Sequence, residues 1–186
     1  MTQLLSSYIN ELNDIAVDIF NDKTLDYKMS AIIDIINQSK TNKKIIIIGN
    51  GGSASIASHT AIDLWKNAGI KAITFNEASL LTCISNDFGY EQVFEKPIEM
   101  FAEKRDILIA ISSSGMSRNI INGLKKAKEK GCITITMTGF EPDNILKTLG
   151  DINLYVPSTS YGYVELSHSI LCHYISDTLS MEKIHG

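Results

Sequence analysis

Apolar residues recur along this chain at two spacings, and the switch between them predicts the architecture. Leu4, Leu5, Tyr8, Ile9, Leu12, Ile15, Ala16 and Ile19 fall at three-and-four spacing, the mark of an amphipathic helix. Tyr27 to Ser39 does the same, with Met29, Ile32, Ile33, Ile35 and Ile36 on one broad face. Asn42-Lys43-Lys44 breaks the pattern. Ile45 to Ile48 is then an unbroken apolar run, short and β-branched, as a strand buried on both faces requires. From here strand and helix alternate. Strands are predicted at Lys71–Phe75, Ile107–Ile111, Cys132–Met137 and Ile152–Val156, the last stopped by Pro157, which lacks a ladder donor. Helices are predicted at Ser53–Asn67, Ala78–Ser85, Glu91–Ala102, Ser117–Lys130, Asn144–Leu149 and Tyr161–Lys183. Asn86-Asp87-Phe88-Gly89-Tyr90 reads as a loop between two of them.

This alternation predicts an α/β fold: a doubly wound, parallel, five-stranded sheet of the flavodoxin-like kind, flanked by helices. The chain reads as one domain over residues 1–186, with a helical prefix at 1–41 and an α/β core at 42–186. The prefix helices offer an apolar face to the sheet or to another subunit. Ligands of such sheets bind beyond the carboxyl ends of the strands, so the residues just after each strand are the ones to search.

Two of those segments are rich in glycine and hydroxyls. Lys44–Ser55 reads KIIIIGNGGSAS, and Asp106–Asn119 reads DILIAISSSGMSRN. In the first, Gly49-Asn50-Gly51-Gly52-Ser53 opens a helix, and its glycines allow close approach of a ligand to the backbone. Ser53 fits a helix cap and can also donate its hydroxyl. In the second, Ser112, Ser113, Ser114 and Ser117 surround a helix start, with Ser117 at the cap position. These hydroxyls exceed what a cap needs. Together the loops predict a phosphorylated small molecule held by N–H groups, hydroxyls and two helix N-termini. Gly49-x-Gly51-x-x-Ala54, with Glu77 after the next strand, also matches a short dinucleotide fingerprint, but that reading leaves the serine loop without a role. No Gly-Lys-Ser/Thr follows, so it is not a Walker A loop.

Composition narrows the ligand. The 186 residues are 44% hydrophobic and 20% charged, ordinary for a soluble α/β protein, and carry a net charge of −4. That charge argues against a general nucleic-acid binder, and an anion must be attracted by local dipoles. No apolar stretch approaches the ~20 residues that span a bilayer, and the N-terminus lacks the basic start of a signal peptide. The three cysteines, Cys83, Cys132 and Cys172, form no CxxC, so the expected setting is a reducing cytoplasm without a disulfide framework.

The ionisable residues suggest a second element. His59 and Asp63 share a helix face at i, i+4, while Glu165 and His173 lie about two turns apart on the last helix. Two imidazoles and two carboxylates suit a zinc-like ion or an acid–base pair. The spacing is looser than a dedicated metal motif: residues 165 and 173 are about 12 Å apart along an ideal helix. Taken singly, His59 and His168 read as packed or surface histidines, and Trp65 as core or interface packing.

GNGGSAS with His59 following, SNDFGYE at Ser85–Glu91, AISSSGMSRN at Ala110–Asn119 and VELSHSILCH at Val164–His173 together resemble the phosphosugar-binding sugar isomerase (SIS) domains. Within them the chain resembles the phosphoheptose isomerases, which convert sedoheptulose 7-phosphate to D-glycero-D-manno-heptose 7-phosphate for bacterial surface-heptose biosynthesis. The resemblance runs through nearly the whole chain. It implies that Asn50, Gly51, Gly52 and Ser53 contact the sugar, that Asn86 and Asp87 bind its hydroxyls, and that Ser112, Ser113, Ser114 and Ser117 hold the phosphate. It implies that His59, Asp63, Glu165 and His173 bind one Zn2+ per subunit, with Asp63 and His173 catalytic and Glu165 also touching substrate. It further implies a homotetramer with active sites shared between subunits. Four residues depart from the family pattern. Asp63 replaces a glutamate, Glu165 a glutamine, Leu166 an acid and Asn67 an arginine. These departures leave open an isomerase for a different phosphosugar, or a non-catalytic sugar-phosphate-binding module on the same fold.

Overall fold

The computed structural model describes residues 4–39 and 42–185, and side chains as far as Met181. His185, to which no role was given, lies beyond that limit. Two helices, α1 (Leu5–Phe20) and α2 (Lys23–Ser39), precede the sheet. Then come β1 (Ile45–Gly49), α3 (Gly52–Asp63), β2 (Ala72–Thr74), α4 (Ala78–Phe88), α5 (Glu95–Phe101), β3 (Ile107–Ser112) and α6 (Arg118–Glu129). The chain ends with β4 (Ile133–Thr138), α7 (Ile145–Leu149), β5 (Ile152–Tyr155) and α8 (Tyr161–His185). All strands pair in parallel, in the order β2-β1-β3-β4-β5. The predicted five-stranded, doubly wound sheet is therefore the observed one.

Strand alternation divides the core between the two faces. Ile45 and Ile47 of β1 point to one face with Ile107, Ile109 and Ile111 of β3, against α2, α3 and α8. Ile46 and Ile48 point to the other with Leu108 and Ala110, against α4, α5, α6 and α7. Each wholly buried isoleucine contributes roughly 1.5–3 kcal/mol, which explains why β1 and β3 are almost uninterrupted apolar runs. The prefix also joins this core. Leu25, Met29, Ile32, Ile33 and Ile36 of α2 are buried there, and Lys28 Nζ donates to the Asn153 carbonyl of β5 at 2.9 Å. α1 is held more loosely: Tyr163 of α8 donates to Glu11 at 2.8 Å, while Leu4, Leu5, Ile9 and Val17 are exposed.

Several boundaries differ from expectation. The helix predicted over Ser53–Asn67 is α-helical only to Asp63. It widens into a π turn at Leu64–Ala68, closed by Gly69 in the left-handed conformation. α4 runs three residues past Ser85, so Asn86 and Asp87 occupy its last turn and not a loop. Gly89, at φ 91°, ends it. The segment predicted as one helix from Glu91 is a 3₁₀ turn at Tyr90–Gln92 followed by α5. Trp65 is 54% exposed, which removes it from the core.

Candidate active site

Strand order reverses between β1 and β3, because β2 lies on one side and β4 and β5 on the other. A parallel sheet opens a crevice at such a point, at its carboxyl edge. Both glycine–serine loops leave the sheet there, after Gly49 and Ser112, which end neighbouring strands. A cavity of about 250 Å³ lies between them. Asn50–Ser53, Ile111–Ser114 and Ser117 line it from the loops, and Tyr161 and Glu165 close it from α8.

Two glycines shape its floor. Gly51 adopts φ 53°, which an L side chain would resist, and stands at the N-cap position of α3. Gly52 lets the Glu165 carboxylate come close: an added Cβ would push that side chain aside. Ser53 therefore does not cap α3, as the sequence suggested, but is a buried residue of its first turn. Ser117 takes the cap position of α6, yet its side chain makes no capping bond. Its hydroxyl lies 3.5 Å from that of Ser112, which also accepts from the Gly115 N–H at 3.2 Å. Ser114 accepts from the Met116 N–H at 3.3 Å. The Ser113 hydroxyl is buried with no protein partner. A buried hydroxyl normally has one, which makes this atom a candidate donor to a ligand. No lysine or arginine lines the cavity, and its one charged lining side chain is the acid Glu165. The donor set is neutral, as expected, and suits an anion held by hydroxyls and helix N-termini. A larger hollow of about 600 Å³, between α1 and the Pro157–Ser160 segment, carries Glu11 and Asp14 and would oppose an anion.

The second element sits farther along α3 and α8. His59 Nε2 is 3.3 Å from Asp63 Oδ2, and His173 Nδ1 is 3.8 Å from the same oxygen. The two imidazole centres are 5.3 Å apart, edge to face. Asp63 turns its other oxygen toward Asn67 Nδ2, at 3.4 Å. One donor atom from each of His59, Asp63 and His173 lies within 4.8 Å of the others. Three such donors fit a divalent ion that keeps an open position.

Comparison with known proteins identifies the family. Residues 7–139 match the model of the SIS domain. The phosphoheptose isomerase of Syntrophotalea carbinolica is 32% identical over 97% of this chain and 94% of its own length. That of Aliarcobacter butzleri is 40% identical over 78% of this chain and 80% of its own. The solved phosphoheptose isomerase from Neisseria gonorrhoeae superposes with a TM-score of 0.86 at 29% identity, covering 95% of this chain and 97% of that one. The chain belongs to the phosphoheptose isomerase family of SIS-domain proteins. Family membership makes it an aldose–ketose isomerase.

Not every predicted site residue joins the site. Within one chain Glu165 lies at the cavity, apart from the His59–Asp63–His173 cluster. The reason is helical rise: residues 165 and 173 of α8 are about 12 Å apart. Asn86 and Asp87 are exposed on α4, where Asn86 Nδ2 bonds the Asp87 carboxylate at 2.8 Å, and they do not line the cavity. Glu77, the acid of the dinucleotide fingerprint, has other work. Its side chain caps α4 by accepting from the Leu80 N–H at 2.9 Å, and the Ser79 and Leu80 N–H groups hold its carboxyl below the usual range. His168 is a core histidine. Burial pushes its imidazole down to about 4, against a weaker opposing bond to the Thr138 carbonyl at 3.3 Å. Sequence reasoning missed Tyr161, which lines the cavity, and Asn119, which bonds Asn50. Only the approach of α8 and α6 to the loops reveals them.

Proposed function

We propose that the protein isomerises sedoheptulose 7-phosphate to D-glycero-D-manno-heptose 7-phosphate in the cytoplasm, as one domain over its whole length. The observation that carries this reading is the pairing of a hydroxyl-lined cavity that holds no cationic side chain with a His–Asp–His cluster on α3 and α8, two of the helices that border it, in a chain whose relatives are phosphoheptose isomerases.

The serine loop takes the phosphate. Its oxygens accept from Ser112, Ser113, Ser114 and Ser117, and the α6 dipole adds roughly 0.3–1 kcal/mol. Asn50, Gly51, Gly52 and Ser53 lie along the sugar, and Asn86 and Asp87, which lie outside the cavity of one chain, bind its hydroxyls across the assembly. Isomerisation moves a proton between C1 and C2 of the open-chain sugar through an enediol. Asp63 takes the proton from C1 and returns it to C2, while His173 supplies a proton to the C2 oxygen and takes one back from the C1 oxygen. Each must come within about 2.6–3.2 Å of the atom it serves. Asp63 is one methylene shorter than the family's glutamate, so the sugar must lie closer to α3. A zinc ion held by His59, Asp63 and His173 would supply a Lewis acid for the sugar's carbonyl and hydroxyl oxygens.

Glu165 enters as a metal and substrate ligand through assembly. We assign the protein to a homotetramer whose active sites draw on more than one subunit. Leu166, Ile170 and Tyr174 form an exposed stripe along α8, and Ile62 and Trp65 are exposed on α3 and the turn after it. Burying these residues against a second copy gives them a role that the isolated chain does not.

Purified protein incubated with sedoheptulose 7-phosphate should yield a heptose 7-phosphate aldose, and chelation should abolish the yield until zinc is restored. Binding of the sugar without turnover, with or without zinc, would replace the enzyme by a sugar-phosphate-binding module. A monomeric mass by light scattering would remove the shared site.

A further inference from the structure

Asn50 sits where the β1 loop meets α6, and its carboxamide is almost fully engaged. Its Nδ2 donates to Asn119 Oδ1 at 2.9 Å, while Asn119 Nδ2 donates back to its Oδ1 at 2.8 Å. Tyr90, on the turn after α4, places its hydroxyl 3.1 Å from the same Asn50 oxygen.

The direction of these bonds is not free. The Ile120 backbone N–H lies 3.0 Å from Asn119 Oδ1 and can only donate, so that atom must be the oxygen. Asn119 therefore presents its amine to Asn50, and Asn50 must answer with its oxygen. The Tyr90 hydroxyl then acts as a donor. An amide oxygen accepts about two hydrogen bonds and an amide nitrogen donates two. The Asn50 oxygen is thus saturated, and one Nδ2 hydrogen remains for the cavity. Asn119 is only 3% exposed, which keeps water from offering it another partner. Arg118 and Asn122 bond Glu91 at 2.9 and 3.1 Å and hold Tyr90 in place.

We infer that Tyr90 and Asn119 are positioning residues that fix Asn50 as a hydrogen-bond donor to a sugar oxygen. The inference rests on the sugar-phosphate reading above and assigns work to two residues that touch no reacting atom. Asn50 then favours an oxygen with a free lone pair, either a carbonyl oxygen or a hydroxyl whose hydrogen points elsewhere.

The test is epistasis. Tyr90→Phe keeps the ring and removes one exposed hydrogen bond, so kcat/KM for sedoheptulose 7-phosphate should fall about three- to tenfold, mainly through KM. Asn119→Ala should cost more. Inorganic phosphate, which needs only the serine loop, should inhibit the Tyr90→Phe enzyme as it does wild type. In an Asn50→Ala background, Tyr90→Phe should have no further effect, because the group it positions is gone. A Tyr90→Phe penalty that persists in that background, or a parallel loss of inorganic phosphate affinity, overturns the inference. Wild-type turnover that neither substitution changes also overturns it. If the wild type does not turn the sugar over, the assigned reaction fails instead. The same cycle is then read from the thermal-midpoint shift that sedoheptulose 7-phosphate produces.

Discussion

At the amino end of the sheet Asp106 is wholly buried, and each of its oxygens is occupied. Oδ1 accepts from the Lys44 N–H at 3.1 Å, while Oδ2 accepts from the Glu103 N–H at 2.8 Å and pairs with Lys44 Nζ at 2.6 Å. Asp151, more exposed, is also engaged through both oxygens before β5. Burial alone would raise its carboxyl, but the Thr134 hydroxyl and N–H, both at 2.8 Å, together with Lys128, hold it below the usual range. At the carboxyl end Ser113 is almost as buried and has no partner, Ser117 stands at a cap without capping, and Asn50 keeps a hydrogen in reserve. Both ends are polar. One spends its valences on the fold, and the other withholds them. Buried atoms without a partner also occur away from the loops, at Asn153 Oδ1 and His168 Nδ1, so what sets the carboxyl end apart is the clustering of hydroxyls around one cavity.

The contrast can be broken most sharply at the cluster. His173→Ala should lower kcat/KM by about 100- to 10,000-fold, the usual cost of a general acid or base. The thermal midpoint should stay close to wild type, since His173 is exposed. A large loss of midpoint would mean that the cluster stabilises the fold like the other end. Asp106→Ala should do the opposite. It leaves the Lys44 ammonium beside an empty buried site, at a cost near 3 kcal/mol read from the urea midpoint, with kcat unchanged. A fall in kcat at undiminished stability would dissolve the division between the two ends.

Ser113→Ala should separate the ends more finely. It removes a hydroxyl with no partner, so unliganded stability should hold or rise. Affinity for inorganic phosphate should fall by about tenfold or more, as for a hydrogen bond to a charged group. Loss of stability without loss of affinity would make Ser113 structural. A comparable or smaller effect is pH-dependent. Folded His168 resists protonation until about pH 4, whereas the unfolded residue takes a proton near pH 6.5. The unfolded state therefore binds more protons as pH falls, and stability drops from about pH 6.5 toward 4. Between pH 6.5 and 5 this amounts to at most roughly 2 kcal/mol. His168→Gln should flatten that slope in urea titrations, and an unchanged slope would assign the acid sensitivity elsewhere.

Much of this was legible beforehand, and the exceptions have physical causes. The strands declared themselves because burial on both faces demands unbroken apolar runs such as Ile45–Ile48 and Ile107–Ile111. The serine loop declared itself because Ser112, Ser113, Ser114 and Ser117 are more hydroxyls than one turn consumes. Local preference misled where a neighbour could compensate. Asn86 and Asp87 look like a turn, but Gly89 ends the helix only after them. Ser53 looks like a cap, but Gly51, at a backbone angle closed to serine, starts the helix earlier.

The amino-acid sequence by itself determined the layers, the position of both glycine–serine loops and the pairing of His59 with Asp63, because each depends on spacing close along the chain. Only the tertiary structure decided which elements meet. It set β1 beside β3 so that the two loops share one cavity, and it brought His173 of α8 to Asp63 of α3. It also left Glu165 at the cavity and joined Tyr90 and Asn119 through Asn50. Those contacts lie between residues far apart in sequence. Periodicity reports which face a residue takes, and packing alone chooses what that face will touch.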